Sequence, residues 1–354
     1  TDGDMDAVRV SNNQLYYFEN VGNKTSADYQ DRGSIYVLGV VAASVVLSDL
    51  DNDGDFDVLL GMAEANVVAL ENTGSRMEPA WTKKPSYEWL GLSSGVTEFS
   101  RNVFINQIVD LDLDGLDDFV YRTGQIWAGG TGGKMKFFRR IKTMGPEIFS
   151  ARTGWHFGAV SVLDSLDSYD TSWGTPLGFS PVGVDLNGDG LQDLVVGSTN
   201  SPLAYYQQIG TVEKYGIKYA AAVALKDKNG QLIGAELPQR NSKSFRPTFL
   251  DIDQDGDFDL ILGTYEDGLL FYKNTGVSPT IPQFERQTSW VLDQVCVRNA
   301  ATPTFWIWCL GVAIGNFGGS SSGLGLDLLT LGSYKVTADF MYQYLSTSAP
   351  EFTP

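Results

Sequence analysis

The sequence is poor in the residues that most often carry metal-dependent or nucleophilic catalysis. It has one histidine, two cysteines and 25 basic residues among 354. A zinc site built from cysteine and histidine therefore has almost no ligands to draw on. The 43 acidic residues give a formal net charge of −18, which argues against a nucleic acid partner.

Long apolar runs and helical periodicity are also missing. The apolar runs Val37–Leu47 and Phe305–Ile314 are too short to span a bilayer, so no transmembrane segment is expected. The chain instead has 39 glycines and 12% aromatic residues, which suits many short strands joined by turns. We expect an all-β fold.

An acidic phrase, "DLDNDGDFD" at residues 49–57, repeats along the chain. Complete copies begin at Asp110, Asp185 and Asp251, and "TDGDMD" at the start reads as the second half of a further copy. Each copy follows a short apolar run and precedes a buried-looking strand that ends in glycine, an aromatic strand and an outer segment. Repeated units of about four strands predict the blades of a β-propeller. A β-solenoid and two separate sandwiches are alternatives, but they account less well for the spacing.

Six such units are visible, and we expect seven when the propeller is complete. Because the first loop is cut, we expect the chain to be a fragment of a longer protein. The expected blades are residues 1-35, 36-95, 96-150, 175-240, 241-295 and 300-354, with 151-174 as an insertion.

The acidic loops have the side chains that Ca²⁺ prefers. Numbered from the first Asp, positions one, three, five and nine are Asp or Asn in every complete copy, and position six is Gly. Position seven varies, so its backbone carbonyl is the expected ligand, at Asp55, Leu116, Leu191 and Asp257. An EF-hand needs Glu at position twelve, where this chain has Leu60, Tyr121, Val196 and Leu262. Mg²⁺ and plain solvated acidic turns are the weaker alternatives, and four bound divalent ions would move the charge from −18 to −10.

The phrases "SPVGVDLNGDGLQDLVVG", "RPTFLDIDQDGDFDLILG" and "LENTGS" resemble FG-GAP/VCBS-type repeats. Such repeats form the blades of Ca²⁺-bearing β-propellers, including the head of the integrin α-subunit and many secreted surface proteins. The resemblance implies a structural Ca²⁺ in each complete loop. The implied ligands are Asp49, Asp51, Asp53 and Asp57; Asp110, Asp112, Asp114 and Asp118; Asp185, Asn187, Asp189 and Asp193; and Asp251, Asp253, Asp255 and Asp259. The first unit keeps only Asp2 and Asp6, which could hold a fifth ion, and the sixth keeps only Asp327.

Two further features favour a secreted or cell-surface protein. Cys296 and Cys309 flank a turn-like stretch and could form a disulfide across a hairpin, although two buried thiols are the alternative. Asn23 begins an N-glycosylation sequon. Membership of a larger extracellular assembly fits the same location.

No catalytic constellation is evident, so we do not expect an enzyme. His156 lies between two aromatic residues and is expected to be packed, and "AGGTGGKM" lacks the spacing of a P-loop. We expect a binding, adhesion or assembly module for a protein partner; glycan binding, and then polysaccharide cleavage, are the alternatives. The insertion supplies aromatic residues that could contact a ligand or fill a blade interface: Trp155, Phe157, Tyr169 and Trp173.

Overall fold

A computed structural model describes most of the acidic loops and the strands around them. The described residues are 6–11, 13–21, 29–38, 42–51, 53–62, 67–75, 79–84, 103–115, 117–123, 135–140, 149–151, 177–199, 202–212, 216–237, 245–252, 255–264, 269–276, 282–288, 308–315 and 327–333. All regular structure in these residues is β-strand, as expected for an all-β protein. None of the described segments is a helix that could cross a membrane.

Four of the sheets have four strands each. The second sheet contains β4 (Ala42–Ser48), β5 (Asp57–Met62), β6 (Val67–Asn72) and β7 (Trp81–Lys84). The third contains β8 (Val103–Val109), β9 (Asp118–Thr123), β10 (Met135–Arg140) and β11 (Phe149–Ala151). The fourth contains β12 (Leu177–Val184), β13 (Asp193–Thr199), β14 (Ala204–Tyr206) and β17 (Val223–Ala224). The fifth contains β18 (Arg246–Leu250), β19 (Asp259–Gly263), β20 (Leu269–Asn274) and β21 (Phe284–Gln287).

Smaller sheets account for the remaining described strands. The first sheet contains β1 (Ala7–Ser11), β2 (Gln14–Asn20) and β3 (Tyr29–Val37). A ribbon inserted into the fourth sheet contains β15 (Gln208–Val212) and β16 (Gly216–Tyr219). The sixth sheet contains β22 (Trp308–Gly315) and β23 (Asp327–Ser333).

Each four-stranded sheet is antiparallel, and its strands are adjacent in the order of the chain. The acidic loop always joins the first strand to the second, as the repeat predicts. The fourth sheet is the exception to simple succession, because the ribbon comes between its third and fourth strands. The arrangement is propeller-like, with four complete four-stranded blades among the described residues; a count of six or seven stays a prediction.

The first strands of neighbouring sheets lie next to each other. Ile105 donates its backbone N–H to Ser44 Oγ at 2.8 Å, which joins the third sheet to the second. Gly183 donates to Gln107 Oε1 at 2.7 Å, which joins the fourth sheet to the third. Gly183 also lies beside Val109, so the carboxyl ends of β8 and β12 meet. The acidic loops of these two sheets therefore lie at the same edge.

Apolar side chains between sheets form the core. One cluster joins Val195 and Leu203 of the fourth sheet to Leu260 and Phe284 of the fifth, with both faces of β19 buried. Another joins Leu15 of the first sheet to Leu60 of the second. Burial of a side chain of this size contributes roughly 1.5–3 kcal/mol, so these sheet-to-sheet contacts dominate the stability.

Gly197, near the end of β13, lies where two sheets approach closely. A Cβ placed on Gly197 of β13 would be 2.1 Å from the carbonyl oxygen of Phe245 and 2.6 Å from Pro247 Cδ. Both residues lie at the start of the fifth sheet. Gly61 and Gly263 occupy the same place in β5 and β19. Gly197 thus permits backbone contact between the fourth and fifth sheets, whereas β9 has Arg122 at the equivalent position.

We expect Gly197→Ala to destabilise the protein by at least about 3 kcal/mol, because the overlapping neighbour is backbone and cannot turn away. Chemical denaturation of the purified chain measures this. Gly183→Ala is the matched control: its nearest neighbours are side-chain methyls of Val109 and Leu111 at 3.0 and 3.1 Å. It should cost only about 1 kcal/mol. Equal losses for the two variants would contradict the close-approach explanation.

Candidate metal sites

The first aspartate of each acidic loop holds the loop closed. Its two carboxylate oxygens accept the backbone N–H groups of positions five and six, at 2.8–3.1 Å in all four loops. The first aspartates are Asp49, Asp110, Asp185 and Asp251. Each carboxylate therefore fixes the backbone of its own loop, and it lies beside the other acidic side chains of that loop.

The loops require left-handed backbone at two positions. At position six the glycines have φ of 98°, 86°, 84° and 95°, in chain order Gly54, Gly115, Gly190 and Gly256. This confirms that glycine permits the reversal. Position four is also left-handed where it is described, with φ of 59° at Leu113 and 70° at Gly188. Leucine in this region costs roughly 1–2 kcal/mol, so the loop geometry overrides a local preference.

The ninth aspartate ties three parts of a sheet together. Its Oδ2 accepts the N–H of position two, from Leu50, Leu111, Leu186 and Ile252, at 2.8–3.2 Å. Its Oδ1 accepts an N–H at the end of the third strand or just after it, from Asn72, Gln208 and Asn274, at 2.7–2.8 Å. The four ninth aspartates are buried: Asp57, Asp118, Asp193 and Asp259.

The first unit keeps part of this arrangement. Asp6 accepts the N–H of Asn20 at 2.8 Å and the hydroxyl of Tyr17 at 2.7 Å. It therefore occupies the place of a ninth aspartate, as the sequence alignment predicts. Asp2 lies outside the described residues.

Carboxylates from positions one, three and nine converge in two of the loops. Oxygen atoms of Asp49, Asp51 and Asp57 lie within 4.8 Å of one another, and the same holds for Asp110, Asp112 and Asp118. The fifth-position residues Asp53 and Asp114 do not belong to these groups. Asp53 Oδ1 instead accepts the N–H of Asp55 at 3.1 Å. The structure thus brings together three of the four predicted side-chain ligands in each group.

Two oxygens in the loop of the second sheet are buried without a hydrogen-bond partner, Oδ1 of Asp51 and Oδ1 of Asp55. An unpaired buried carboxylate oxygen is costly, and a cation is one group that could satisfy it. The Asp55 side chain is only 8% exposed. The sequence predicted only the backbone carbonyl of Asp55 as a ligand, and the burial of its side chain was not predicted.

The loop of the fourth sheet is less acidic. Asn187 replaces the third aspartate and donates from Nδ2 to Asp189 Oδ2 at 2.9 Å. Leu191 at position seven donates its N–H to Asp189 at 2.9 Å, and Tyr205 donates its hydroxyl to Asp193 at 2.7 Å. Tyr205 was not predicted as a loop contact, because it comes from the third strand, twelve residues beyond Asp193.

Burial and neighbouring negative charges raise the pKa of several carboxyl groups in the loops. Burial raises the pKa of Asp57 to about 7, and burial likewise raises the pKa of Asp193 to about 6. Burial and then the neighbouring Asp53 raise the pKa of Asp51 to about 6. The same two causes raise the pKa of Asp55. The folded loops therefore favour a bound proton, or a bound cation, over free negative charge.

The turn that closes the third strand is fixed by the asparagine at the end of that strand. Asn72 Oδ1 accepts the N–H groups of Gly74 and Ala80 at 3.1 and 2.9 Å. Asn274 Oδ1 does the same for Gly276 and Gln283 at 3.1 and 2.9 Å. The repeated "NTG" that begins at the last residue of the third strand marks this turn in the sequence.

Several predicted sites lie wholly or partly outside the described residues. The loop residues concerned are Leu116 and Asp253, and the others are Asn23, Cys296, Trp155, Phe157, Tyr169 and Trp173. Cys309 lies in β22, opposite Gly332 of β23. Asp327 begins β23, opposite Gly315. The disulfide, the sequon and the aromatic ligand face stay predictions.

The raised pKa values predict how stability without divalent cations depends on pH. Because the folded pKa of these aspartates exceeds the unfolded value near 3.9, the folded state binds more protons between about pH 4 and pH 7. Their contribution to the free energy of unfolding should therefore fall as pH rises through this window. Urea denaturation in chelator at pH 5 and pH 7 measures this, with excess divalent cation as the comparison that should flatten or reverse the slope. Higher stability at pH 7 in chelator would contradict it.

The FG-GAP-like repeat family model matches residues 185–262. The match begins at the first aspartate of the fourth sheet's loop and ends in the second strand of the fifth sheet. No curated protein matches the chain. Residues 185–262 are thus similar to the FG-GAP-like repeat, and the sheets of the chain are arranged like the blades of a β-propeller.

Proposed function

We propose that the four complete acidic loops bind Ca²⁺ as structural ions. The observation that carries this proposal is the convergence of three carboxylates within 4.8 Å in the loops of the second and third sheets, with two buried oxygens that have no partner in the loop of the second sheet. Ca²⁺ accepts six to eight oxygens in a flexible geometry, whereas Mg²⁺ demands a strict octahedron and keeps several waters. A loop rich in carboxylates and backbone carbonyls fits the larger ion.

Positions one, three and nine would hold the ion, with position five and the backbone carbonyl of position seven nearby. The ion would supply positive charge that offsets the repulsion among these carboxylates. Because the first and ninth aspartates also accept backbone N–H groups, a bound ion would stabilise the same contacts that join three strands. The proposed role is stability of the blades rather than chemistry at the metal.

We propose further that the chain is an extracellular β-propeller that binds a protein partner. FG-GAP-like repeats often occur in extracellular, protein-binding propellers, and millimolar Ca²⁺ outside cells suits loop sites of modest affinity. The complete propeller would have six or seven blades, and its task would be adhesion or assembly rather than catalysis.

Exposed apolar side chains on the loops favour a protein partner. Phe56 and Phe258, both at position eight, are 54% and 36% exposed, and Leu113 is 47% exposed. Aromatic residues surrounded by a polar rim are typical of interface hot spots. These three residues project from loops whose backbones are fixed by hydrogen bonds, so they would meet a partner with little loss of conformational freedom.

Titration of the chelator-treated chain with Ca²⁺ tests metal binding. We expect saturable binding by calorimetry and a melting temperature raised by several degrees, since each site adds about 2.7 kcal/mol at 100 times its Kd. Mg²⁺ at the same concentration should stabilise less. Asp49→Asn should remove or weaken one site.

Asp227→Asn is the matched control for this titration. Asp227 also accepts two backbone N–H groups, from Asn229 and Gln231 at 2.9 and 2.8 Å, but lies outside the acidic loops. Its loss should leave Ca²⁺ binding unchanged. Absence of Ca²⁺ binding by the folded wild-type chain would refute the metal proposal.

Binding to arrayed extracellular proteins and to arrayed glycans, each with Ca²⁺ and with chelator, tests the partner class. We expect Ca²⁺-dependent binding to a protein that weakens at least tenfold in a Phe56→Ser, Phe258→Ser double variant, about 1.4 kcal/mol. Retained Ca²⁺-dependent stabilisation would show that this variant is folded. Binding to glycans alone would support the lectin alternative and overturn the protein-partner proposal.

A further inference from the structure

Two of the acidic loops are nearly identical in sequence. "DLDNDGDFD" at 49–57 and "DIDQDGDFD" at 251–259 differ only at positions two and four, which carry no predicted ligand. Five aspartates and one glycine occupy the same positions in both. The ligand set alone therefore predicts equal affinity for a divalent cation.

The third strand next to each loop breaks this equivalence. Asp57 Oδ1 accepts the N–H of Asn72, and Asp259 Oδ1 accepts that of Asn274, at 2.8 and 2.7 Å. These matching bonds place Glu71 and Lys273, the residues before the two asparagines, at the same point of their sheets. One loop thus has a negative neighbour where the other has a positive one.

Lys273 is directed at its loop. Its Nζ lies 3.7 Å from Asp255 Oδ2, the fifth position of the loop at 251–259. Lys228, from the turn after β17, pairs instead with the outer strand of the fifth sheet, with its Nζ 2.6 Å from Glu285 Oε1. The ammonium group of Lys273 therefore places a positive charge next to this loop.

Glu71 has the opposite influence on the loop at 49–57. It holds the place that Lys273 holds beside the loop at 251–259, one residue before the asparagine bonded to the ninth aspartate, so its negative charge lies next to the loop at 49–57. Lys84 contacts Glu71 from the outer strand and offsets part of that charge. Glu71 stands at the position that Lys273 holds in the fifth sheet, so the loop at 49–57 has no lysine at that position.

We infer that the loop at 49–57 binds a divalent cation more tightly than the loop at 251–259, and that Glu71 and Lys273 set the difference. This inference rests on the proposed Ca²⁺ binding. A fixed cation near the site repels an incoming cation and competes for Asp255, while an added carboxylate attracts it. As Ca²⁺ concentration falls, the fifth sheet loses its ion before the second.

The experiment is calorimetric titration of the chelator-treated full chain with Ca²⁺. Lys273→Gln should lower the Kd of the weaker of the two sites by about fivefold, because it removes one unit charge near a divalent ion. Glu71→Gln should raise the Kd of the tighter site by a similar factor, because it removes a negative charge and leaves the positive charge of Lys84 beside the loop. Thermal unfolding in chelator checks that both variants fold.

Lys226→Gln is the matched control, since it removes the same charge from an exposed lysine outside the acidic loops. It should change the isotherm by less than about twofold. If Lys226→Gln and Lys273→Gln tighten binding equally, or if Lys273→Gln has no effect, the inference is wrong while Ca²⁺ binding stands. If the wild-type chain binds no Ca²⁺, the proposed function fails and the inference fails with it.

Discussion

The buried ninth aspartate is the contact on which each blade depends. One oxygen holds the start of the acidic loop, and the other holds the third strand at its end. Because the same residue begins the second strand, three consecutive segments are fixed by one side chain. A carboxylate is suited to this task, since it can accept two hydrogen bonds from groups that would otherwise be left unpaired.

This solution creates an electrostatic problem that shapes the rest of the loop. A buried negative charge is expensive, and the raised pKa of Asp57 expresses that cost. The loop adds further aspartates, two of which contribute buried oxygens without partners. Such an arrangement is unfavourable by itself and favourable around a cation. Much of the negative charge of the chain is thus a consequence of repeating one structural device.

The repeat made the strand order, the loop positions and the position-six glycines predictable from sequence, since these follow from local pattern. The two-stranded ribbon after β14 was not predictable, because the described parts of the other units contain no equivalent of it. Nor was the left-handed Leu113, since its residue type opposes that conformation. The close approach at Gly197 depends on Phe245 of the next sheet. Contacts between units leave no periodic mark on a single sequence.

The loops at 49–57 and 251–259 share their ligand positions but differ in the charges around them. A ligand motif describes the atoms that can touch a cation, and these two motifs agree at every odd position. The free energy of binding also includes fixed charges a few ångströms further away. Those charges lie on the third strand, at Glu71 and Lys273, outside the loop sequences themselves. A repeat protein can therefore keep one loop sequence for folding and still give each copy its own response to Ca²⁺.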